Sequence, residues 1–454
     1  MEKINKKLGL LSRSNKQKLI PLFLGLALLF ATNTNANIIT ISDEETETFL
    51  ATIIKPIFDK AGIPFYRNNV FIIEDNNLNA FVSDGNNLFI NSGTILKAHN
   101  TDEIRGVIAH EAGHILGGHI IRHKLKQQEL QSLSLASMLV AGALGFVSGR
   151  GDVAAAIAIG SQSSLLNKSL SYRVEEERSA DEAAITLLKK AGYSPQGLLN
   201  FMKRIQQQNK MQGLSENGYF RTHPQTMERI AFLQNAVKNS SYRITKQDDE
   251  NLNRIKAKLY AFVNNPQQTY RKYKLTDNSV NSIYARAIAA YKEIKLNKAI
   301  NLINILIDKE HNNPHFRELK GQILMEQGKI DEAKKEFALS VKLMPSSSLF
   351  KINEVHSILE SSPAKTELKQ VISQLQAVLA QKQTLVAWLL LSRAYEMNGN
   401  KAEALYAAAE YSIRMENPEL ATKQAKKALS LSKNPKLNIK ISDLLLTINN
   451  MKKH

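Results

Sequence analysis

The pentad His110-Glu111-Ala112-Gly113-His114 is the part of the chain best equipped for chemistry. On a helix, histidines four residues apart stand one turn apart on one face, so both imidazoles reach a single metal ion. Glu111 is turned about 100° from His110 at 3.6 residues per turn, which sets it beside the metal rather than on it. That is where a general base belongs. Zinc brings the pKa of a bound water to roughly 7 and polarises a peptide carbonyl, and the carboxylate carries the water's proton to the leaving amine. The pattern is that of peptide hydrolysis with one Zn2+ per chain. A chance pentad on a salt-bridged surface is the bland alternative, and the apolar neighbours Ile104, Val107, Ile108 and Ile115 speak against it.

A catalytic zinc takes a third protein ligand and keeps its fourth position open. The chain has no cysteine, so that ligand must be His, Asp or Glu. The extended signature H-E-x-x-H-x-x-G-x-x-H needs histidine at position 120, where the chain has Ile120; His119 and His123 are expected on another face. The better candidate is Glu177, within Glu175-Glu176-Glu177-Arg178-Ser179-Ala180-Asp181. Asp181 follows one turn later and is placed to orient a ligand histidine from behind. Spacing alone leaves Glu175 and Glu176 open as substitutes.

The elements that must position these residues follow from periodicity. Ser42 is expected to cap a helix from Asp43 to about Phe65, with Phe49, Ile53, Ile54 and Ile57 on its apolar face. Val70–Ile73, Ala80–Val82 and Leu88–Ile90 alternate like strands, the last two joined by Ser83-Asp84-Gly85-Asn86, and imply a small sheet. Asp102 opens a long helix to about Gln131 that carries the pentad, and a further helix runs from about Arg173 to Lys190. Residues 132–170 are rich in Ser, Gly, Ala and Leu. They read as two short apolar helices, either packed into the core or forming a lid over the site, each too short to span a bilayer. The polar stretch 239–251 reads as an inter-domain linker.

The C-terminal half is helical and periodic. Ala299 and Ala333 are 34 residues apart, and Gly321, Leu324, Gly328, Ala333, Phe337 and Pro345 fall at tetratricopeptide-repeat spacing. Trp388, Leu391, Tyr395, Gly399 and Ala404 repeat the frame, while the unit near 350–384 is degenerate and contains Pro363.

Taken together, the pentad, the Glu177-x-x-x-Asp181 helix, Asn79-Ala80-Phe81 and Ile90-Asn91-Ser92-Gly93 resemble the M48 zinc metallopeptidases, in particular exported members with C-terminal tetratricopeptide repeats. The resemblance implies a mainly α chain: a zincin-like α+β metallopeptidase domain with a small sheet (37–250), followed by an α-helical repeat solenoid (251–454). It implies Glu177 as third ligand and Asp181 as the acid behind a ligand histidine. It also implies that His223, in Thr222-His223-Pro224, occupies the metal's open position and holds the enzyme off, with Arg229 near the site. The biology it implies is assembly of outer-membrane β-barrels and degradation of stalled or misfolded ones, with the repeats meeting the barrel assembly machinery. A chaperone or scaffold with a plugged site is the competing class.

Composition sets the surroundings. A basic stretch from Lys3 to Lys18, the apolar run Leu19–Ala31 and small residues up to Ala36 predict a signal peptide (1–36) cleaved after Ala36, hence a periplasmic protein. Of the net charge of +18, residues 37–250 carry −1 and residues 251–454 carry +14, so the basic surface belongs to the repeats. Such a surface suits an acidic partner or peripheral contact with a membrane. No nucleic-acid motif is present. An extended substrate segment is expected to add as a strand near Leu88–Asn91.

Overall fold

The computed structural model describes residues 39–125, 174–212, 223, 227–238, 240 and 246–451. The predicted signal peptide and the 132–170 segment lie outside the described residues.

Helix α1 (Glu44–Ala61) begins at Asp43, not at Ser42: the Asp43 carboxylate accepts the Thr46 N–H at 2.9 Å, and Gly62 closes the helix before the expected Phe65. Glu44, Glu45 and Glu47 in its first turn complement the positive end of the helix dipole. Its apolar stripe, Leu50, Ile53, Ile54 and Ile57, is buried against the sheet and against the pentad-bearing helix.

The sheet has four strands, β1 (Thr40–Ile41), β2 (Val70–Ile73), β3 (Ala80–Ser83) and β4 (Asn87–Asn91), in the order β1-β2-β4-β3. β4 pairs parallel with β2 and antiparallel with β3. Both edges of β4 are therefore taken, and the expected docking of a substrate strand near Leu88–Asn91 is corrected. Among the described residues the free edge beside the pentad belongs to β3.

Ser92–Lys97 forms helix α2, and the pentad lies in α3 (Thr101–Leu116), capped by Asn100, whose side chain accepts the Glu103 N–H. The expected single helix from Asp102 to Gln131 is also corrected. It stops at Leu116, turns through Gly117 and Gly118, and resumes as α4 over residues 119–125. The break is a left-handed residue, Gly118 at φ 62°, which a side chain would strain. Helix α5 (174–190) carries Glu177 and Asp181; α6 (Gln196–Gln212) packs on α3, and α7 (Met227–Lys238) packs on α6.

Helix α8 (Lys246–Val263) runs through the expected boundary at 250/251. Within the stretch read as a linker, Asp249 accepts the Thr101 N–H at 2.7 Å and Asp248 pairs with Arg105, so this segment is docked on the start of α3. The same helix serves two cores: Leu252, Ile255 and Leu259 join the peptidase core, Ala257 and Ala261 that of the first repeat.

Beyond it follow α9 (Pro266–Lys272), α10 (Val280–Lys292), α11 (Leu296–Lys309), α12 (Pro314–Glu326), α13 (Ile330–Leu343), α14 (Ser348–Glu360), α15 (Lys365–Gln381), α16 (Leu385–Met397), α17 (Lys401–Arg414), α18 (Pro418–Leu431) and α19 (Pro435–Met451). From α10 onward they stack as successive antiparallel pairs. Gly321 leaves the space filled by the Phe337 ring, where a Cβ would stand 2.6 Å away. The degenerate unit is still a helical pair, α14 and α15, because Pro363 falls in the turn between them.

The two halves are joined by a buried polar cluster. Lys258, 4% exposed, lies 2.5 Å from Asp43 and 3.2 Å from Glu45. Tyr284 donates to Glu45 at 3.0 Å. Farther along the solenoid, Ser347 donates to Glu44 at 2.7 Å and Asn68 donates to the Gln381 carbonyl at 2.7 Å.

Candidate metal centre

α3 crosses the domain with His110, Glu111 and His114 all buried. α5 approaches it so closely that a Cβ on Gly113 would sit 2.6 Å from the Ala180 carbonyl oxygen. Glycine inside the pentad thus lets the two helices touch, and Glu177 and Asp181 stand on the facing side of α5.

His110, His114, Glu177 and His223 each offer one ligand atom, all within 4.8 Å of one another and all buried. His110 Nε2 and His114 Nε2 are 3.1 Å apart. Each lies 3.3 Å from a Glu177 oxygen. His223 Nδ1 is 3.0 Å from Glu177 Oε1 and 3.4 Å from His110 Nε2. Metal–donor bonds of about 2.0–2.1 Å in a tetrahedron put neighbouring donors about 3.3 Å apart. The observed separations match that figure, and two buried imidazole nitrogens at 3.1 Å share at most one proton between them. The donor set therefore fits a small divalent cation.

Around the donors sits an outer ring. His110 Nδ1 is 2.9 Å from Asp181 Oδ1. Arg229 Nε and Nη2 donate to the two Asp181 oxygens at 2.6 and 3.0 Å, and its Nη1 is 2.7 Å from Glu177 Oε2. Glu111 is 3.5 Å from His223 Nε2 and hydrogen-bonds the backbone of Val82 on the β3 edge. A cavity of 130 Å³ opens here, between Phe81, Val82 and Glu111 on one side and His119, Ile120 and His123 on the other.

The electrostatics follow from burial and these partners. Burial opposes the charge on His110, but Asp181 and Glu177 outweigh it and push the imidazole up to about 10. His114, with a weaker set of partners, is pushed by burial down to about 3. Burial raises Glu111 above the usual carboxylate range. It acts on Glu177 in the same sense, yet His223, His110 and His114 together hold that carboxyl well below the usual range.

The structure gathers His110, Glu111, His114, Glu177, Asp181, His223 and Arg229 in one place. Of the substitutes for Glu177, Glu175 is exposed, and Glu176 turns away to His123, 2.7 Å distant. His119, expected on another face, is brought back by the glycine turn until its Nδ1 lies 2.8 Å from His114 Nδ1. Only the two adjacent glycines hinted at that return. Thr222 and Pro224 lie outside the described residues.

Residues 44–237 match the family model of Peptidase family M48. The β-barrel assembly-enhancing protease of Escherichia coli (strain K12) is 22% identical over 347 residues, covering 75% of this chain and 70% of that protein. Protease HtpX of Acinetobacter baylyi is 25% identical over 228 residues, covering 42% and 72%. Among solved structures, the tetratricopeptide-repeat protein YrrB is 16% identical and covers 39% of this chain and 91% of its own, with a TM-score of 0.32. The described residues contain no helix long and apolar enough to cross a membrane. Residues 44–237 thus match a peptidase of family M48, the chain resembles the β-barrel assembly-enhancing proteases, and stacked helical pairs at tetratricopeptide spacing follow that stretch.

Proposed function

We propose that the chain is an exported, periplasmic zinc endopeptidase that cleaves extended segments of unfolded or misassembled outer-membrane β-barrel proteins. The observation that carries this reading is the gathering of four buried donors within 4.8 Å of one another, with Glu111 beside them and an open strand edge at their rim. His110, His114 and Glu177 would hold the zinc, which supplies Lewis acidity toward a peptide carbonyl and an acidified water.

The remaining roles fall to the chain. Asn79 accepts the Asn91 N–H across the β3–β4 pair, so by strand alternation Ala80 and Val82 turn their backbone groups to the free edge. An extended segment pairing there lies alongside Glu111, whose carboxylate takes the proton of the attacking water and returns it to the leaving amine. Asp181, clamped by Arg229, keeps His110 oriented. His223 holds the fourth donor position and keeps resting activity low, and the peptidase unit and repeat unit meet within α8. The repeats offer a groove of 960 Å³ beside Trp388, Tyr395 and Tyr406 to a protein partner such as the barrel assembly machinery.

The test compares zinc content and cleavage of casein or an unfolded barrel protein in the wild type, Glu111→Gln and His223→Ala. One zinc in each, cleavage lost in Glu111→Gln and raised in His223→Ala, is the expected result. Zinc with no cleavage even in His223→Ala favours a non-proteolytic scaffold. No zinc in the wild type overturns the metal centre itself.

A further inference from the structure

The two histidines of the pentad are backed by different groups. Behind His110 stands the Asp181 carboxylate. Behind His114 stands another histidine: His119 Nδ1 is 2.8 Å from His114 Nδ1, the rings meet edge-on at 76°, and His119 is 2% exposed.

Helical periodicity does not put His119 there, since five residues on from His114 it would point elsewhere. The chain reaches this contact through two glycines with separate jobs. Gly118 supplies the left-handed turn that ends α3 and starts α4. Gly117 is different. Its backbone is right-handed helical, φ −68° and ψ −11°, a conformation that any residue adopts without strain. What glycine provides is room, because a Cβ at 117 would stand 2.3 Å from His119 Nε2. The ring of His119 lies across Gly117 and is thereby aimed at His114.

We infer that His119 is a positioning residue: its Nδ1 accepts the Nδ1–H of His114 and fixes the tautomer whose Nε2 lone pair faces the other metal donors. The inference rests on the metal-centre reading. An imidazole that binds through Nε2 must carry its proton on Nδ1, and that buried N–H needs an acceptor. Replacing such an outer partner costs roughly 10–100-fold in metal affinity.

The test is a zinc titration of chelator-stripped protein against a competing chromophoric chelator, with thermal unfolding run alongside. His119→Phe keeps a ring and removes the acceptor. His119→Asn keeps an acceptor oxygen where Nδ1 stood. Gly117→Ala leaves His119 intact but displaces its ring. Zinc affinity is expected to fall 10–100-fold in His119→Phe, to recover most of that in His119→Asn, and to fall in Gly117→Ala. Wild-type affinity in His119→Phe, or equal losses in the Phe and Asn variants, overturns the proposal while the metal centre stands. A wild type that binds no zinc overturns both.

Discussion

Arg229 grips Asp181 with two hydrogen bonds and places its remaining terminal nitrogen 2.7 Å from Glu177, so one buried guanidinium holds the two acids that α5 turns toward His110. Removing it takes from two buried carboxylates the guanidinium that bonds them both, a loss of the kind that costs about 3–5 kcal/mol. Arg229→Ala is expected to lose that much in chemical unfolding and to bind zinc more weakly. Arg229→Lys restores the charge but not the planar fork, and should recover only part of either. An Arg229→Ala protein as stable as wild type would mean the cluster does not need its cation.

Gly113→Ala probes the contact between the helix of the pentad and the helix of Glu177. The added methyl would meet backbone atoms of Ala180, which cannot turn aside as a side chain can. α5 must shift away from α3 and carry Glu177 off the histidines. Zinc affinity measured by chelator competition should drop at least about 10-fold, the scale on which displaced ligand geometry is felt. Unchanged affinity would place the source of Glu177's position elsewhere in α5.

Glu318 gives a pH signature outside the candidate metal centre. Burial, reinforced by Asp43 and Glu45 and opposed by Lys258, pushes it up to about 7, and Gln322 and Asn353 donate to its Oε1. Between about pH 4.5 and 7 the folded chain keeps a proton that the unfolded chain has lost, so stability falls as pH rises through that window and levels off above it. Glu318→Gln keeps the acceptor oxygen and removes the ionisation. Urea unfolding followed by the fluorescence of Trp388, the chain's one tryptophan, should show this slope abolished and about 3 kcal/mol gained at pH 8. A variant with the same slope as wild type would exclude Glu318 as its source.

Local periodicity reached far into this molecule, but unevenly. Helical spacing joins His110 to His114 and Glu177 to Asp181 because those pairs lie within one turn of regular helix. It could not foresee His119, because its position depends on a break in the helix, and the glycines that make the break look like tolerated interruptions. Sheet order was equally hidden. Hydrophobic alternation finds β2, β3 and β4, yet nothing local says that β4 pairs with both neighbours and leaves β3 at the rim. At the end of the polar run that suggested a linker, Asp248 and Asp249 owe their place to contacts, facing Arg105 and Thr101 across a helix junction. The repeat frame survived the degenerate unit because a solenoid asks each helix pair only to fit its neighbours.

Helix α8 gives both halves a common member, and Ser347 and Gln381 fasten a second stretch of the solenoid to Glu44 and Asn68. A helical array pinned at two places behaves as a bracket rather than as an arm on a hinge. On the proposed function, a chain held by the repeats is presented from a fixed span, so that reach, alongside side-chain preference, would decide which of its peptide bonds can arrive beside Glu111.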